Sequence, residues 1–397
     1  MKVLGVIVEY NPMHTGHIYH IQKAKQVTNS DYVIAIMSGS FTQQGNIAIT
    51  DKFTRAKQAI QNGIDMVIEL PSIYAISDSG NFAKGAIEIL NKLNVVDYLC
   101  FGAETDNLDL FTKAADVLIK YDKNIWNEIR LELKKGISFA NARNNVLKNY
   151  LSGDKLKLIN SPNNILGIEY TKNLKLSNSN IVPYSILREN NFNDTNLSTK
   201  YTSSTSIRKV LEENTDVDTL KDYLTPDVYS NLTTSNILFN KDIFNILKYK
   251  IISMTAQQIS KINGVTEGLE NKIKKEMIDS YNYEDYIFKL KSKRYELSKI
   301  KRIVINILLD IKKEDFEILK QNPISYAHVL AFNHEKKDLL SLVSKNSKIP
   351  LITSINDKSI LKLDKFNLKL INTDIYASNI HSLLNKTKLN KDYTNLL

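Results

Sequence analysis

The first two hundred residues alternate short apolar runs with helical patterns, and this alternation constrains the fold more than any other feature. The runs are rich in Val and Ile and end at polar or turn residues, as buried strands do. Five strands are predicted in this way: Val3–Val8, Tyr32–Met37, Met66–Leu70, Val96–Phe101 and Ile181–Leu187. Helices of about ten residues between such strands give βαβ units and a parallel sheet.

Helical patterns fill the intervals between the strands, because apolar residues recur at the spacing of one helix face. The second helix is bounded by Thr50 as a predicted N-cap and by Gly63 as a C-terminal stop. Residues 107–150 also look helical but are polar and without obvious chemistry. The main helices of this part are predicted over Ile18–Val27, Asp51–Gln61, Asn81–Leu93 and Ile165–Leu174.

The composition changes after the fifth strand and divides the chain into two predicted domains. Residues 190–202 consist mainly of Asn, Asp, Ser and Thr, which indicates a loop or linker. The remaining residues are mainly helical in pattern, apart from an α/β-like stretch at Pro350–Ile355 and Leu361–Ile371. We therefore predict an α/β protein with a Rossmann-like parallel-sheet domain over residues 1–215 and a mainly helical region over residues 216–397.

Cysteine content and charge limit the classes of function. The single cysteine, Cys100, excludes a disulfide framework and a multi-cysteine zinc site, and no set of metal ligands is predicted. The net charge is +10, from 53 basic and 43 acidic residues. This surplus favours an anionic partner such as nucleic acid, although a compositional bias toward Lys, Asn and Ile explains it equally well. Val3–Val8 is too short for a signal peptide or a membrane span, so a soluble, cytoplasmic protein is expected.

The strongest local pattern follows the first predicted strand directly. Residues Glu9–His17 read Glu-Tyr-Asn-Pro-Met-His-Thr-Gly-His, so that Asn-Pro ends the strand and a helix begins near Gly16. A helix N-terminus presents unpaired N–H groups and the positive end of its dipole, which suits a phosphate chain. His14 and His17 lie on one side of the first turn, where they can donate hydrogen bonds to phosphate oxygens and a departing pyrophosphate. The alternative, two solvent-facing histidines in a turn, is disfavoured by the position after a buried strand.

A second phosphate-binding pattern lies at Thr202–Arg208, which reads Thr-Ser-Ser-Thr-Ser-Ile-Arg. Ser204 and Thr205 place hydroxyls at a helix start and Arg208 follows one turn later, which forms a second phosphate cradle; alone, this is an ordinary N-cap. A strand, a His-x-Gly-His turn and a helix, with a later Ser-Ser-Thr-x-Ile-Arg, resemble the nucleotidylyltransferase superfamily, relatives of class I aminoacyl-tRNA synthetases. In that superfamily both motifs grip the ATP triphosphate.

Further blocks spread over nearly the whole chain narrow this resemblance. They are Gly5–His20, Met37–Phe41, Lys52–Lys57, Val67–Pro71, Phe101–Glu104, Ser161–Tyr170, Leu187–Glu189, Thr266–Glu270, Lys293–Tyr295 and Asp374–Tyr376. Together they resemble the bacterial tRNA(Met) cytidine acetate ligase family. Members of that family activate acetate with ATP and place the acetyl group on the exocyclic amine of the wobble cytidine of elongator tRNA(Met).

The resemblance implies a set of ATP-binding positions, carried over by motif. They are Ile7, Val8, Glu9, Tyr10, Asn11, Pro12, Met13, His14, Thr15, Gly16, His17, Ile18, Tyr19, His20, Gly102, Asn163 and Arg188. Gly102 follows a strand where a Cβ would crowd an adenosine, or it is a turn glycine. Asn163 lies at a helix start, where capping is the alternative. Arg188 suits bidentate contact with phosphate, or it forms a surface ion pair.

This sequence departs from the family pattern at three positions. The family usually has Phe where Met13 stands, which is a conservative packing change. It tends to have Arg near Gln44 and at the position of His328, and a neutral histidine weakens a phosphate contact there. Lys52 and Arg55 either add positive charge to the site or are solvated helix residues.

The best local candidate for tRNA contact is the segment Lys289–Arg302. Its basic residues Lys291, Lys293 and Arg294 lie beside Tyr295, which is expected to be exposed. Basic residues beside an exposed aromatic ring suit a phosphate backbone and a stacked base. The alternative is the solvated basic end of a helix.

The resemblance implies a reaction in two steps, with His14 and His17 as the catalytic residues. Acetate attacks the α-phosphorus of ATP with Mg²⁺ present, acetyl-adenylate forms, and the cytidine amine then takes the acetyl group and releases AMP. The expected partners are tRNA and acetate, and the oligomeric state is not predicted. Two alternatives stay open: a small-molecule adenylyltransferase of the same superfamily, and an RNA-binding protein that senses ATP without catalysis.

Overall fold

A mainly parallel sheet organises the chain, and the computed structural model describes it over residues 1–188, 202–213, 217–266, 268–319 and 321–395. The strands are β1 (Val3–Val8), β2 (Tyr32–Ser38), β3 (Met66–Leu70), β4 (Tyr98–Ala103), β5 (Val182–Leu187), β6 (Ala327–Phe332) and β7 (Leu351–Ile352). Over the described residues they form one sheet in the order β5-β4-β1-β2-β3-β6-β7. Strands β1 to β5 pair in parallel, whereas β6 runs antiparallel to β3.

Helices cover both faces of this sheet. Val3 and Ile34 belong to one hydrophobic cluster and their neighbours Leu4 and Val33 to another, because successive side chains of a strand point to opposite faces. Both faces are therefore buried, which explains the continuous apolar runs in the sequence. The α-helices are α1 (Thr15–Thr28), α2 (Lys52–Gln61), α3 (Ser72–Ala75), α4 (Ser79–Leu93), α5 (Leu108–Lys120), α6 (Asp122–Leu133), α7 (Phe139–Leu147), α8 (Asp154–Lys157), α9 (Pro162–Leu176), α10 (Ser204–Glu213), α11 (Pro226–Thr234), α12 (Phe244–Ser253), α13 (Ala256–Ser260), α14 (Leu269–Ile278), α15 (Tyr283–Leu290), α16 (Leu297–Leu308), α17 (Lys313–Leu319), α18 (Lys337–Asn346), α19 (Lys365–Leu384) and α20 (Lys391–Thr394).

The five predicted strands are confirmed, and the α/β class with them. Strands β1 and β3 have the predicted bounds, whereas β4 begins at Tyr98, two residues later than expected. Val96 is buried beside Gly5 but precedes the ladder, which starts where Tyr98 pairs with Leu4. The apolar side chain of Val96 therefore indicates that this position is buried, and not that it pairs within the sheet.

Strand β6 was missed, since its pattern was included in the mainly helical region. It pairs with β3 across more than 250 positions of the chain, with Met66 opposite Phe332, and no local signal predicts such a partner. Within Pro350–Ile355 only β7 is a strand, and most of Leu361–Ile371 lies in α19. The sheet thus extends across the boundary placed at residue 215, and the division into two domains stays a prediction.

The N-cap of α2 was predicted wrongly. The helix begins at Lys52, and Asp51, not Thr50, is its cap: one carboxylate oxygen accepts from the N–H groups of Phe53 and Thr54, both at 3.0 Å. A carboxylate satisfies two of the unpaired N–H groups of a first turn at once and favours the positive end of the dipole. Helix α4 likewise begins two residues before the predicted Asn81, behind the carboxylate of Asp78.

The strand order changes direction at β1, which has β2 on one side and β4 on the other. In an open parallel sheet, the carboxyl ends of the two strands at such a point border a crevice that binds ligands. The linker predicted over residues 190–202 lies, except for Thr202, outside the described residues. Within the described part of the chain, no helix is both long and apolar enough to cross a membrane.

Candidate active site at the carboxyl ends of β1 and β4

The turn after β1 is held together by its two histidines. His14 is the N-cap of α1, and its Nδ1 accepts from the Gly16 N–H at 3.1 Å. In return, Nδ1 of His17 accepts from the His14 N–H at 3.2 Å, and the two ring centroids lie 3.8 Å apart. Because Nδ1 is the acceptor in both rings, each neutral imidazole carries its proton on Nε2. Both histidines therefore present an Nε2–H donor away from the cap.

The histidines of this turn are held in the neutral form. Burial, with Arg188 and Arg208 nearby, lowers the pKa of His14 to about 3. Burial and the neighbouring His14 place the pKa of His17 well below its usual value, and burial with Arg188 lowers the pKa of His20 to about 4. At neutral pH these rings donate hydrogen bonds without carrying a positive charge.

The Ser-Ser-Thr-x-Ile-Arg motif packs against this turn, although almost two hundred positions separate the two in sequence. Ser204 at the start of α10 donates its hydroxyl to the Pro12 carbonyl at 3.0 Å. Arg208 donates from Nη1 to the Asn11 carbonyl at 2.6 Å and from Nη2 to Oγ1 of Thr205 at 3.1 Å. The structure thus brings together the two motifs that the sequence analysis paired.

Gly102 and Arg188 close the other side of the crevice, at the ends of β4 and β5. The Arg188 N–H donates to the Ala103 carbonyl at 2.8 Å. A Cβ on Gly102 would lie 3.3 Å from Cγ of Arg188 and 3.8 Å from Cδ2 of His20, so glycine leaves the room between these side chains. Nε of Arg188 and Nε2 of His20 are buried and have no partner among the described residues. Buried donors without a partner are rare, and an anionic ligand would satisfy both.

Asn163 lies at this edge as well, and its side chain does not cap α9. Its Nδ2 donates to Oε1 of Glu104 at 2.8 Å, and the neighbouring Asn164 accepts from the Glu104 N–H at 3.0 Å. The two asparagines hold Glu104 directly after β4. The other carboxylate oxygen of Glu104, Oε2, is buried without a hydrogen-bond partner in the described part of the chain.

Glu9 connects the turn with the loop that follows β2. Its Oε1 accepts from the Gln43 N–H at 2.7 Å. Burial raises the pKa of Glu9, against the Gln43 hydrogen bond and the charges of Arg208 and Arg55. The role of Gln43 is not predictable from the sequence, because a backbone N–H leaves no trace in the pattern of side chains.

Lys52 and Arg55 are fully buried, so their description as possible solvated helix residues is wrong. Arg55 donates to the carbonyls of Glu9 at 2.7 Å and Ser38 at 3.1 Å, and also to the Gly39 carbonyl. It therefore donates hydrogen bonds to carbonyl groups at the carboxyl ends of β1 and β2. Buried carbonyls at the end of a strand need such a partner, because the sheet no longer supplies one there. Burial lowers the pKa of Arg55 to about 10, and the guanidinium stays charged at neutral pH.

Lys52 belongs to a buried ionic cluster, formed by Lys52, Glu69, His328 and Asp392. Its Nζ lies 2.8 Å from Oε2 of Glu69 and 2.6 Å from Oδ1 of Asp392. Nδ1 of His328 lies 2.7 Å from the same Glu69 oxygen. Ligand atoms of Glu69, His328 and Asp392 approach within 4.8 Å of one another, as metal ligands do, but the ammonium group of Lys52 already supplies a cation to both carboxylates. His328 is therefore a partner of Glu69 inside the fold, at the position where the family pattern predicts an arginine.

The segment chosen for tRNA contact divides into exposed and buried parts. Lys291 and Lys293 are exposed and Arg294 is half-buried. Tyr295 is buried, with 7% of its surface exposed, and its hydroxyl donates to the Thr266 carbonyl at 2.9 Å. The expectation of an exposed aromatic ring at this position is wrong, since the ring packs into the helical core.

The remaining departures from the family pattern have simple surroundings. Met13 is buried with 1% of its surface exposed, as the aromatic residue of the family would be, and a flexible thioether fills such a space readily. Gln44 is half-buried in the loop after β2, next to Gln43 and Gly45.

Comparisons with known proteins agree on one family. The family model described as HIGH Nucleotidyl Transferase matches residues 1–395. The tRNA(Met) cytidine acetate ligase of Clostridium botulinum (strain Okra / Type B1) is 39% identical over 406 residues, covering 99% of this chain and 97% of that protein. The ligase of the same name from Thermosipho melanesiensis (strain DSM 12029 / CIP 104789 / BI429) is 40% identical over 415 residues, covering 99% and 97%. A crystal structure of Thermotoga maritima TmcAL bound with α-thio ATP is similar with a TM-score of 0.89 at 32% identity, covering 97% of this chain and 95% of that chain.

Proposed function

This chain belongs to the HIGH nucleotidyl transferase family and, within it, to the tRNA(Met) cytidine acetate ligases, and from this we propose its reaction. It binds ATP in the crevice at the ends of β1 and β4, activates acetate as acetyl-adenylate, and acetylates N4 of the wobble cytidine of elongator tRNA(Met). The products are N4-acetylcytidine, AMP and pyrophosphate. The proposed acceptor, tRNA(Met) cytidine, and the proposed acid, acetate, come from the names of the relatives. The residues proposed to act on them are those that line the crevice.

The observation that carries the proposal is the set of unmatched donors around one crevice. Two Nε2–H groups, of His14 and His17, point away from their caps, and Nε of Arg188 and Nε2 of His20 are buried without described partners. A triphosphate offers many acceptor oxygens and negative charge to such groups. Gly102 leaves the room for the nucleoside beside them.

In the first step a carboxylate oxygen of acetate attacks the α-phosphorus in line. A new O–P bond forms, the bond to the bridging oxygen breaks, and pyrophosphate leaves with the negative charge. His14 and His17 donate Nε2–H hydrogen bonds to the oxygens on which this charge grows, and their low pKa values mean that they keep their protons. Mg²⁺ would neutralise triphosphate charge, and Glu104, with an unpartnered buried Oε2, is the carboxylate that fits it.

In the second step the cytidine N4 attacks the acetyl carbonyl of the mixed anhydride. The N–C bond forms, the C–O bond to AMP breaks, and N4 releases its proton to solvent. Among the described residues, no side chain in the crevice is placed as an obvious general base, so we assign the acceleration to positioning of the amine against the anhydride. The tRNA must therefore be held firmly beside the turn, and the mainly helical region over residues 216–397 would supply that grip, with Lys291 and Lys293 among its exposed cations.

The decisive experiment combines the purified chain with labelled acetate, ATP, Mg²⁺ and unmodified elongator tRNA(Met), followed by nucleoside analysis. Labelled N4-acetylcytidine that requires both ATP and acetate is the expected result. Unmodified tRNA with no AMP would contradict the proposal and favour ATP sensing without catalysis. AMP transfer to a small phosphate compound without RNA would favour the small-molecule adenylyltransferase instead.

A further inference from the structure

Basic residues from two helices lie near the turn after β1, and one of these helices comes from the part of the chain without assigned chemistry. We call the first half of α16, with Lys299, Lys301 and Arg302, one wall. The other wall is α7, with Arg143, inside the stretch 107–150. Arg208 lies against the turn itself.

Hydrogen bonds fix the position of the α16 wall. Arg302 donates from Nη1 to the Gln43 carbonyl at 3.2 Å, and the N–H of the same Gln43 donates to Glu9. Lys301 donates to Oδ1 of Asn46 at 3.1 Å. The backbone of α16 approaches Gly45 so closely that a Cβ there would lie 2.6 Å from the Arg302 nitrogen. One residue therefore separates Arg302 from the carboxylate at the end of β1.

The α7 wall is joined to α16 where both helices begin. Ser138, the N-cap of α7, donates its hydroxyl to Oε1 of Glu296, the residue before α16, at 2.6 Å. Arg143 lies little more than one turn into α7, and its Nη2 is buried with no partner among the described residues. Burial lowers the pKa of both Arg143 and Arg302, and the charge of Asp78 opposes that change in each, after that of Glu169 for Arg143, so both guanidinium groups lie near the same carboxylate.

Six cations lie around these walls, since Arg208 and Arg294 add to the four named residues, and five carboxylates lie near them. Burial lowers the pKa of Lys299, with the charges of Arg302 and Arg294 adding to it, and burial with Arg208 lowers the pKa of Lys301. The carboxylates are Asp78, Glu296, Glu212 and Glu284, together with Glu169, which is already paired with Lys172 at 2.5 Å. A row of half-buried cations with an excess of positive charge suits an anion with several spaced charges.

We propose that Arg143, Lys299, Lys301 and Arg302 form a two-walled clamp that holds the phosphate backbone of RNA beside the ATP turn. The clamp rests on the proposed function and extends it: it assigns RNA contact to the insertion helix α7 and to the first half of α16. Its geometry supplies what the second step requires, namely a substrate strand fixed next to the mixed anhydride.

The first test removes one charge from each wall with Arg143→Gln/Lys299→Gln. The dissociation constant for unmodified tRNA(Met) should rise at least tenfold, while ATP affinity stays within twofold of the wild type. The slope of log K against log salt should become shallower by about 0.7–0.9 for each phosphate that the variant no longer neutralises. The matched control, Lys345→Gln/Lys348→Gln, removes two exposed charges elsewhere and should leave affinity and slope unchanged.

Two further measurements keep the test decisive if the double variant folds poorly. Arg143→Lys/Lys299→Arg keeps the charges and should keep tRNA affinity within threefold. In the wild-type chain, bound tRNA should protect Lys299 and Lys301 from an amine-reactive reagent, while Lys345 and Lys348 stay reactive. The clamp alone would be overturned if the wild type acetylates tRNA and the double variant binds tRNA as tightly as the wild type. It would also be overturned if the wild type acetylates tRNA but bound tRNA does not protect Lys299. A wild type that neither binds nor acetylates tRNA would overturn the proposed function as well.

Discussion

Two groups of buried ionisable residues lie near the carboxyl ends of the strands, and they differ in how their charges are matched. In the ionic cluster, Lys52 lies within 2.9 Å of carboxylates from Glu69 and Asp392, and His328 contacts Glu69. At the turn after β1, Arg188 and Arg208 form no ion pair with a described residue, and buried donor atoms lack partners. Removing the cation that two buried carboxylates share destabilises the fold, whereas buried donors without partners beside uncompensated arginines indicate a missing anion.

The largest expected effect tests the matched side of this comparison. Lys52→Ala leaves Glu69 and Asp392 buried without a cation, so the free energy of unfolding should fall by about 3–5 kcal/mol. Urea denaturation measures this change. The exposed Lys57 of the same helix α2 offers a control, and Lys57→Ala should change stability by less than about 0.5 kcal/mol.

The same variant has an outcome that would break the comparison. If Lys52→Ala unfolds like the wild type but loses ATP binding, Lys52 is a ligand cation and the cluster belongs to the site. Lys52→Met/Asp392→Asn removes one carboxylate together with the ammonium group and should recover part of the lost stability.

The second effect tests the unmatched side through His17. His17→Asn places an amide oxygen near the position of Nδ1, so it keeps an acceptor for the His14 N–H and removes the Nε2–H donor. Turnover in the acetylation assay should fall by about 10²–10³, the cost of one donor to developing charge, with stability changed by less than about 1 kcal/mol. His334→Asn, at an exposed position, is the control. Wild-type turnover in His17→Asn would remove this histidine from the mechanism.

The third effect separates the two groups by pH. An unfolded histidine has a pKa of 6.5, and the folded value for His14 is about 3. Stability from this group is therefore fully present above pH 6.5 and is lost as pH falls, because the unfolded chain takes up the proton first. Between pH 7 and pH 5 His14 should account for about 2 kcal/mol.

The measurement is the difference between wild type and His14→Asn, which keeps a cap acceptor and does not titrate. The wild type should lose about 2 kcal/mol more than the variant between pH 7 and pH 5. Burial would raise the pKa of Glu69, but Lys52 and His328 outweigh it and lower that pKa to about 2. The cluster's contribution from Glu69 should therefore persist down to about pH 4.5 and be lost between there and pH 2. Parallel pH curves for wild type and His14→Asn would contradict a buried, neutral His14.

Local structure is predictable from this sequence, whereas contacts between residues far apart in the chain are not, as particular residues show. The continuous apolar runs predict β1 and β3 to the residue, and the turn motif predicts where α1 begins within one position. Lys52 and Arg55 can be buried because carboxylates and carbonyls from other strands pair with them. The residues next to them in sequence do not show these partners, so the sequence alone suggests that both side chains are solvated. No nearby residue predicts a role for Arg143, because its proposed role depends on α16, which starts more than 150 positions later. Chemistry built on one turn is visible in sequence, and chemistry built between elements is not.

The smallest effect concerns Tyr295, where the sequence analysis expected an exposed ring. Its hydroxyl donates to the Thr266 carbonyl and also lies 2.6 Å from Oγ1 of Thr266, so it is matched inside the fold like the ionic cluster. Tyr295→Phe should therefore lower the free energy of unfolding by about 1 kcal/mol, the usual net value of such a hydrogen bond, and leave tRNA affinity unchanged. Thermal denaturation and filter binding measure the two quantities. Unchanged stability with weaker tRNA binding would show that the hydroxyl serves RNA and that a matched polar group can still belong to a binding site.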